Sequence, residues 1–189
     1  SQPTAWEPVI ESLRNDNPEQ KPIWYQKHMT HHLLPHIDRA WMRKVRHCFL
    51  IRDPREVLSS YSKSRAEVTL EDLGFKAQAE IFDWVSRESE QTPVVVASND
   101  ILKSPAKMLE KLCGALGIPY SDKMLSWEKG LRKSDGVWAS HWYHNVMNSS
   151  GFAPHRERTP DSPSHFESIV QAARPFYEPL FECRMQLDQ

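Results

Sequence analysis

Arg52 and Ser60 stand eight residues apart in the stretch FLIRDPREVLSSY (49–61), where an apolar run ends abruptly in an arginine. A guanidinium offers a fork of charged donors and a serine hydroxyl a neutral one, so the pair suits an oxyanion shared between them. Asp53 has the side chain of a helix N-cap and Pro54 that of a first helical residue, so a helix carrying Ser60 is expected to start directly after the arginine. If 45–51 is a strand, Arg52 closes its carboxyl end, where open α/β sheets place their ligands. The same spacing also allows a plain surface ion pair of Arg52 with Asp53 or Glu56, with Ser59 and Ser60 inert.

Other residues able to do chemistry cluster in two places. His28, His31, His32 and His36 follow Lys27, and the pairs 28/32 and 32/36 have the i, i+4 spacing that chelates a metal on a helix face. No acidic or cysteine ligand completes such a set, so no metal is expected and a plain helix surface is the competing account. Farther on, Lys129, Arg132 and Lys133 precede Trp138, Trp142 and Tyr143, and Arg156 and Arg158 follow. The aromatic side chains could line an acceptor pocket or fill a core, and the basic ones could hold an anion or be solvated loop charge.

Two continuous apolar runs, VRHCFLI (45–51) and VVVA (94–97), read as strands covered on both faces of a parallel sheet, and IWYQK (23–27) is a third candidate. Helical patterns occupy 6–15, 30–44, 54–66 and about 70–87. In the last, Leu73, Ala77, Ile81, Trp84 and Val85 form one apolar face. Another helix begins at Pro105 and stops at Gly117, and a final one spans roughly 174–185 with an interruption near Pro179. Strands alternating with helices imply an α/β fold, a mainly parallel sheet flanked by helices. Residues 128–166 read as a long irregular loop, the kind that is functional in a compact domain.

The 189 residues fit one domain, 1–189, and the formal net charge of -1 gives no global pull toward nucleic acid or an anionic membrane. Any anion site must therefore be a local cluster of base. No apolar run is long enough to cross a bilayer. Cys48, Cys113 and Cys183 stand singly in apolar contexts, which fits buried thiols in a reducing, cytoplasmic setting. Oligomeric state leaves no mark in the sequence.

RDPREVLSSY resembles the 3'-phosphate-binding segment of the P-loop-like sulfotransferases, in which an arginine closing a strand and a serine eight positions later hold the 3'-phosphate of 3'-phosphoadenosine-5'-phosphosulfate (PAPS). LRKSDGVWASHWYHN (131–145) is similar to the late loop of that family that reaches the same phosphate, and WYQKHMTHHLLP (24–35) to its lysine-histidine segment, although Lys27 and His28 adjoin where one residue usually separates them. The match spans about 22–145 and is nearest to a small bacterial sulfotransferase-like branch. It implies the P-loop-NTPase-like sulfotransferase fold and PAPS as donor substrate without a metal. It implies cofactor-binding roles for Arg52, Ser60, Arg132 and Lys133, and catalytic roles for His28 as base and Lys27 beside the bridging oxygen. The expected reaction is sulfuryl transfer to a small hydroxyl or amine acceptor; the alternative is a non-catalytic nucleotide-binding or interaction domain. The adenine-contacting tyrosine of the family falls at Ser98, which cannot stack. The family's loop for the 5'-phosphosulfate has no match, Gly74 being the first glycine, so the fold is expected to be truncated at its amino end or to hold the donor differently. A kinase-like P-loop, G-x-x-x-x-G-K-[ST], is absent.

Overall fold

The computed structural model describes residues 6–15, 21–63, 65, 67–132, 144–156 and 166–187. Among them two strands, β1 (Cys48–Ile51) and β2 (Val94–Ala97), pair in parallel with Cys48 opposite Val94 and Ile51 opposite Ala97. The helices are α1 (Trp6–Asn15), α2 (Pro54–Tyr61), α3 (Leu70–Leu73), α4 (Phe75–Glu88), α5 (Ser98–Lys103), α6 (Pro105–Leu116), α7 (His144–Met147) and α8 (Glu167–Glu182). Parallel pairing requires a crossover, and α2, α3 and α4 supply it. This is the α/β arrangement that the alternating patterns imply.

Phe49, Ile51, Val95 and Ala97 are buried against α4 and α8, where Phe75, Ile81, Val85, Ala173, Tyr177 and Leu180 complete the main core. β2 is buried at three successive residues, Val95, Val96 and Ala97, as a strand covered on both faces should be. β1 differs from that expectation. Its burial alternates, with Cys48 and Leu50 exposed, Leu50 by 57%. A second cluster of Leu58, Val68, Phe166 and Val170 fastens α2 to α8, and an Arg55–Glu167 ion pair of 2.6 Å lies beside it.

Several boundaries depart from the sequence reading. The 70–87 pattern is two helices: Thr69 and Asp72 form a capping box that starts α3, and Gly74 at φ 72° ends it before α4 begins. Residues 30–44 hold two short 3-10 turns, Thr30–His32 and Ala40–Lys44, in place of one helix. Pro35 lies between them, lacking an N–H and disfavouring helical backbone at Leu34. The 54–66 helix ends at Tyr61. Residues 23–27 form no strand, because no described segment pairs with them, and Tyr25 is 82% exposed.

The last helix begins earlier than expected and runs through Pro175 and Pro179. An interior proline costs about 3 kcal/mol. The buried stripe Val170, Ala173, Tyr177 and Leu180 offsets that, since a large apolar side chain contributes roughly 1.5–3 kcal/mol when buried. Of the three cysteines only Cys113 is buried; Cys48 lies on the uncovered face of β1 and Cys183 just past the end of α8. No described helix is long and apolar enough to cross a membrane.

Candidate anion site at the carboxyl edge of the sheet

The parallel register sets the site. Ile51 faces Ala97, so the next residues, Arg52 and Ser98, leave the same edge of the sheet side by side. After Arg52 the chain turns at once into α2, because the Asp53 side chain accepts a hydrogen bond from the Arg55 amide at 2.8 Å and Pro54 opens the first turn. The expected cap and first residue are both in place, and Arg52 is at the carboxyl end of β1.

The arginine does not simply extend into solvent. Its Nε donates to Glu56 Oε2 at 2.9 Å, the ion pair that the sequence left open as an alternative. Glu56 Oε1 accepts a second hydrogen bond, 3.1 Å long, from Asn99 Nδ2 in the first turn of α5. One carboxylate thus ties together the two turns that follow β1 and β2. Burial pushes the Glu56 carboxyl up, but the hydrogen bonds from Arg52 and Asn99, with the charges of Arg52 and His155, bring it below the usual carboxylate value. It is ionised near neutrality. His155 is brought toward α2 by the 144–156 segment, which a Ser126–Gly151 bridge and a Trp127–Ser149 hydrogen bond of 3.1 Å hold to the chain before it.

Ser60 is exposed on α2, four residues beyond Glu56. Residues so spaced are neighbours on one helix face, about 5–6 Å apart at Cβ. Glu56 is thus a neighbour of Arg52 by hydrogen bond and of Ser60 by helical spacing. The Nε edge of the guanidinium faces Glu56, and the edge formed by its two terminal amino groups is the fork that an oxyanion would take. The donor types are those that hold a phosphate group.

A cavity of about 140 Å³ opens beside these residues, lined by Arg52, Ser98, Asn99, Lys103, Tyr177 and Arg184, among others. Arg184 pairs with Asp100 at 2.8 Å and lies 3.7 Å over the Phe181 ring, so its guanidinium is held in place at the cavity wall. Sequence reasoning missed Glu56 as a part of the site, along with Asn99, Lys103 and Arg184. Asn99 had a signal: it follows β2 almost as Arg52 follows β1.

His28 keeps different company: its ring lies 5.6 Å from that of Trp41, its Nε2 is 3.1 Å from Gln26 Oε1, and His47 acts on it electrostatically. Trp41 and His47 precede β1, and no described contact joins His28 to Arg52 or Asn99. Although much of its side chain is exposed, the packed ring face desolvates it, and that burial together with the charge of His47 lowers its pKa below 6.5. The imidazole is neutral near pH 7. Lys27 and Arg132 are exposed. Lys133, Trp138, Trp142 and Tyr143 lie outside the described residues. Among the described residues no group of three or more histidine, cysteine, aspartate or glutamate side chains is disposed to hold a metal.

A parallel sheet with flanking helices and an arginine at the carboxyl end of its first strand defines an α/β protein. A sulfotransferase-domain family model matches residues 1–184, and the chain belongs to that family. It is similar to branched-chain-amino-acid aminotransferase-like protein 2 of Arabidopsis thaliana, 26% identical over 169 residues that cover 89% of this chain and 30% of the relative. It is also similar to branched-chain-amino-acid aminotransferase-like protein 1 of the same plant, 30% identical over 156 residues, covering 82% of this chain and 28% of the relative. The chain therefore spans less than a third of the length of these relatives. A sulfotransferase domain from the curacin biosynthetic pathway shares the fold, with a TM-score of 0.51 and 18% identity over 75% of this chain and 54% of that one.

Proposed function

We propose that this sulfotransferase-family domain binds PAPS through its 3'-phosphate and directs sulfuryl transfer to a small hydroxyl or amine acceptor. The observation that carries the reading is the placement of Arg52 at the carboxyl edge of β1 with Ser60 one helical turn past its partner Glu56. Arg52 supplies charged donors to the 3'-phosphate and Ser60 a neutral one, with Arg132 and Lys133 as further contacts from the late loop. The bound donor supplies an activated sulfuryl group on a phosphate leaving group. Transfer of this kind depends on in-line positioning and charge stabilisation, which fixed donors on rigid turns provide. His28, neutral near pH 7, is the candidate to accept the acceptor's proton, and Lys27 to offset charge on the bridging oxygen.

A second reading has its own support. Among the described residues the contacts of His28 are with Trp41, Gln26 and His47 and not with the Arg52 cluster, which suits a domain that binds the nucleotide without catalysing transfer. Incubation of the protein with PAPS and a panel of alcohol, phenol and amine acceptors tests both. Acceptor-dependent release of 3'-phosphoadenosine-5'-phosphate supports transfer, binding without release supports the non-catalytic domain, and no binding of either nucleotide overturns the donor assignment.

A further inference from the structure

We propose that Glu56 is a positioning residue that orients Arg52 for a 3'-phosphate and thereby sets selectivity for nucleotides that carry one. The inference rests on the nucleotide reading above. Its basis is the clamp at the carboxyl edge, in which the two oxygens of one carboxylate take Arg52 Nε at 2.9 Å and Asn99 Nδ2 at 3.1 Å.

Three features separate this clamp from an ordinary surface pair. The Glu56 side chain is only 15% exposed while that of Arg52 is 41% exposed, so the carboxylate is the anchored member and the guanidinium the presented one. Asn99 comes from α5, after the other strand, so Glu56 is held from two elements and does not share the mobility of a lone helix side chain. Glu56 also engages Arg52 through Nε, so the two terminal amino groups stay outside that hydrogen bond.

A carboxylate beside a phosphate site has an opposing effect, since its charge disfavours an anionic ligand. Orientation and repulsion predict opposite outcomes when the carboxylate is removed. Repulsion alone would make both Glu56→Gln and Glu56→Ala bind a 3'-phosphate more tightly. Orientation predicts weaker binding in Glu56→Ala, because an unrestrained arginine must be ordered by the ligand. Ordering one such side chain changes affinity by about 3- to 10-fold. Glutamine restores an acceptor for Arg52, and Asn99 can rotate its amide to accept from the new amide group, so Glu56→Gln is expected to recover most of the loss.

The test is calorimetric titration of the protein with adenosine 3',5'-bisphosphate and with adenosine 5'-phosphate. The proposal expects wild-type protein to prefer the bisphosphate, and Glu56→Ala to lose about 3- to 10-fold of that preference with its affinity for the monophosphate unchanged. It expects Glu56→Gln to recover most of the preference. Asn99→Ala, which frees the carboxylate from its second anchor without removing the ion pair, is expected to lose part of the preference and reads the same clamp if Glu56→Ala does not fold. Full preference in Asn99→Ala and in every folded Glu56 variant, or tighter bisphosphate binding in the Glu56 variants, overturns the positioning role and leaves the nucleotide reading standing. A wild-type protein that does not distinguish the two nucleotides overturns that reading and the role of Glu56 with it.

Discussion

Replacing Arg52 by alanine removes the guanidinium at the carboxyl end of β1 and leaves Glu56 with Asn99 as its remaining hydrogen-bond donor among the described residues. Hydrogen bonds to charged groups contribute about 1.5–3 kcal/mol. The Arg52 side chain is 41% exposed, so solvent screening places the loss in the lower half of that range, about 1.5–2 kcal/mol. At about 1.4 kcal/mol per tenfold, adenosine 3',5'-bisphosphate should bind roughly 10- to 30-fold more weakly. Adenosine 5'-phosphate should be almost indifferent. The control is Arg52→Lys, which keeps the charge but lacks both the Nε contact and the fork, so it should restore only part of the loss. Isothermal titration of both nucleotides to the three proteins measures each of these. Equal weakening for the two nucleotides, or full restoration by lysine, would refute the assignment of Arg52 to the 3'-phosphate.

His28→Gln is expected to keep nucleotide binding while any transfer rate falls by about 10²–10⁴, the usual loss when a general base is removed; unchanged turnover would remove His28 from the chemistry. Because the His28 pKa is lowered and the base must be neutral, the rate should rise with pH through a value below 6.5 and then level off, a limb absent in the variant. His28 and His47 are both lowered, chiefly by burial, so the unfolded chain binds their protons first and folding stability should decline as pH falls below about 6.5. Urea melts between pH 7 and pH 5 test this, and a His28→Gln/His47→Gln protein should show a shallower decline. Gly117→Ala places a Cβ at φ 60° and against the Arg46 guanidinium at the end of α6, which should cost about 1–2 kcal/mol, read as a lower Tm. Asp53→Ala removes the α2 cap and should cost about 1 kcal/mol, with weaker bisphosphate binding if α2 positions Ser60.

Local chemistry was legible in the amino-acid sequence wherever it acts over a few residues. The Asp53 cap, Pro54 start and Gly117 stop are choices of backbone dihedral and nearby hydrogen bond, and each is where the residue types place it. The strands at 45–51 and 94–97 shortened by three residues and by none, since apolar runs fix a strand's position better than its ends. Arg52 at a carboxyl edge followed from order alone. Longer patterns misled where a local rule competed with packing. Gly74 split a helix whose apolar period continued across it, and Pro179 failed to break a helix whose buried face outweighed the missing hydrogen bond.

Only the tertiary structure decided what Arg52 faces. Glu56 four residues on was a bare possibility from spacing, while Asn99 comes from 43 residues away and is brought to it by the β1–β2 register. Lys103 follows β2 on α5 and Arg184 is brought to the cavity from beyond α8 by its ion pair with Asp100, while packing against Trp41 turns His28 toward residues ahead of β1. Sequence spacing determines neighbours along one helix or one turn. Which turns meet depends on strand pairing and core packing, whose free energy is spread over residues far apart in the chain, and no short motif records it.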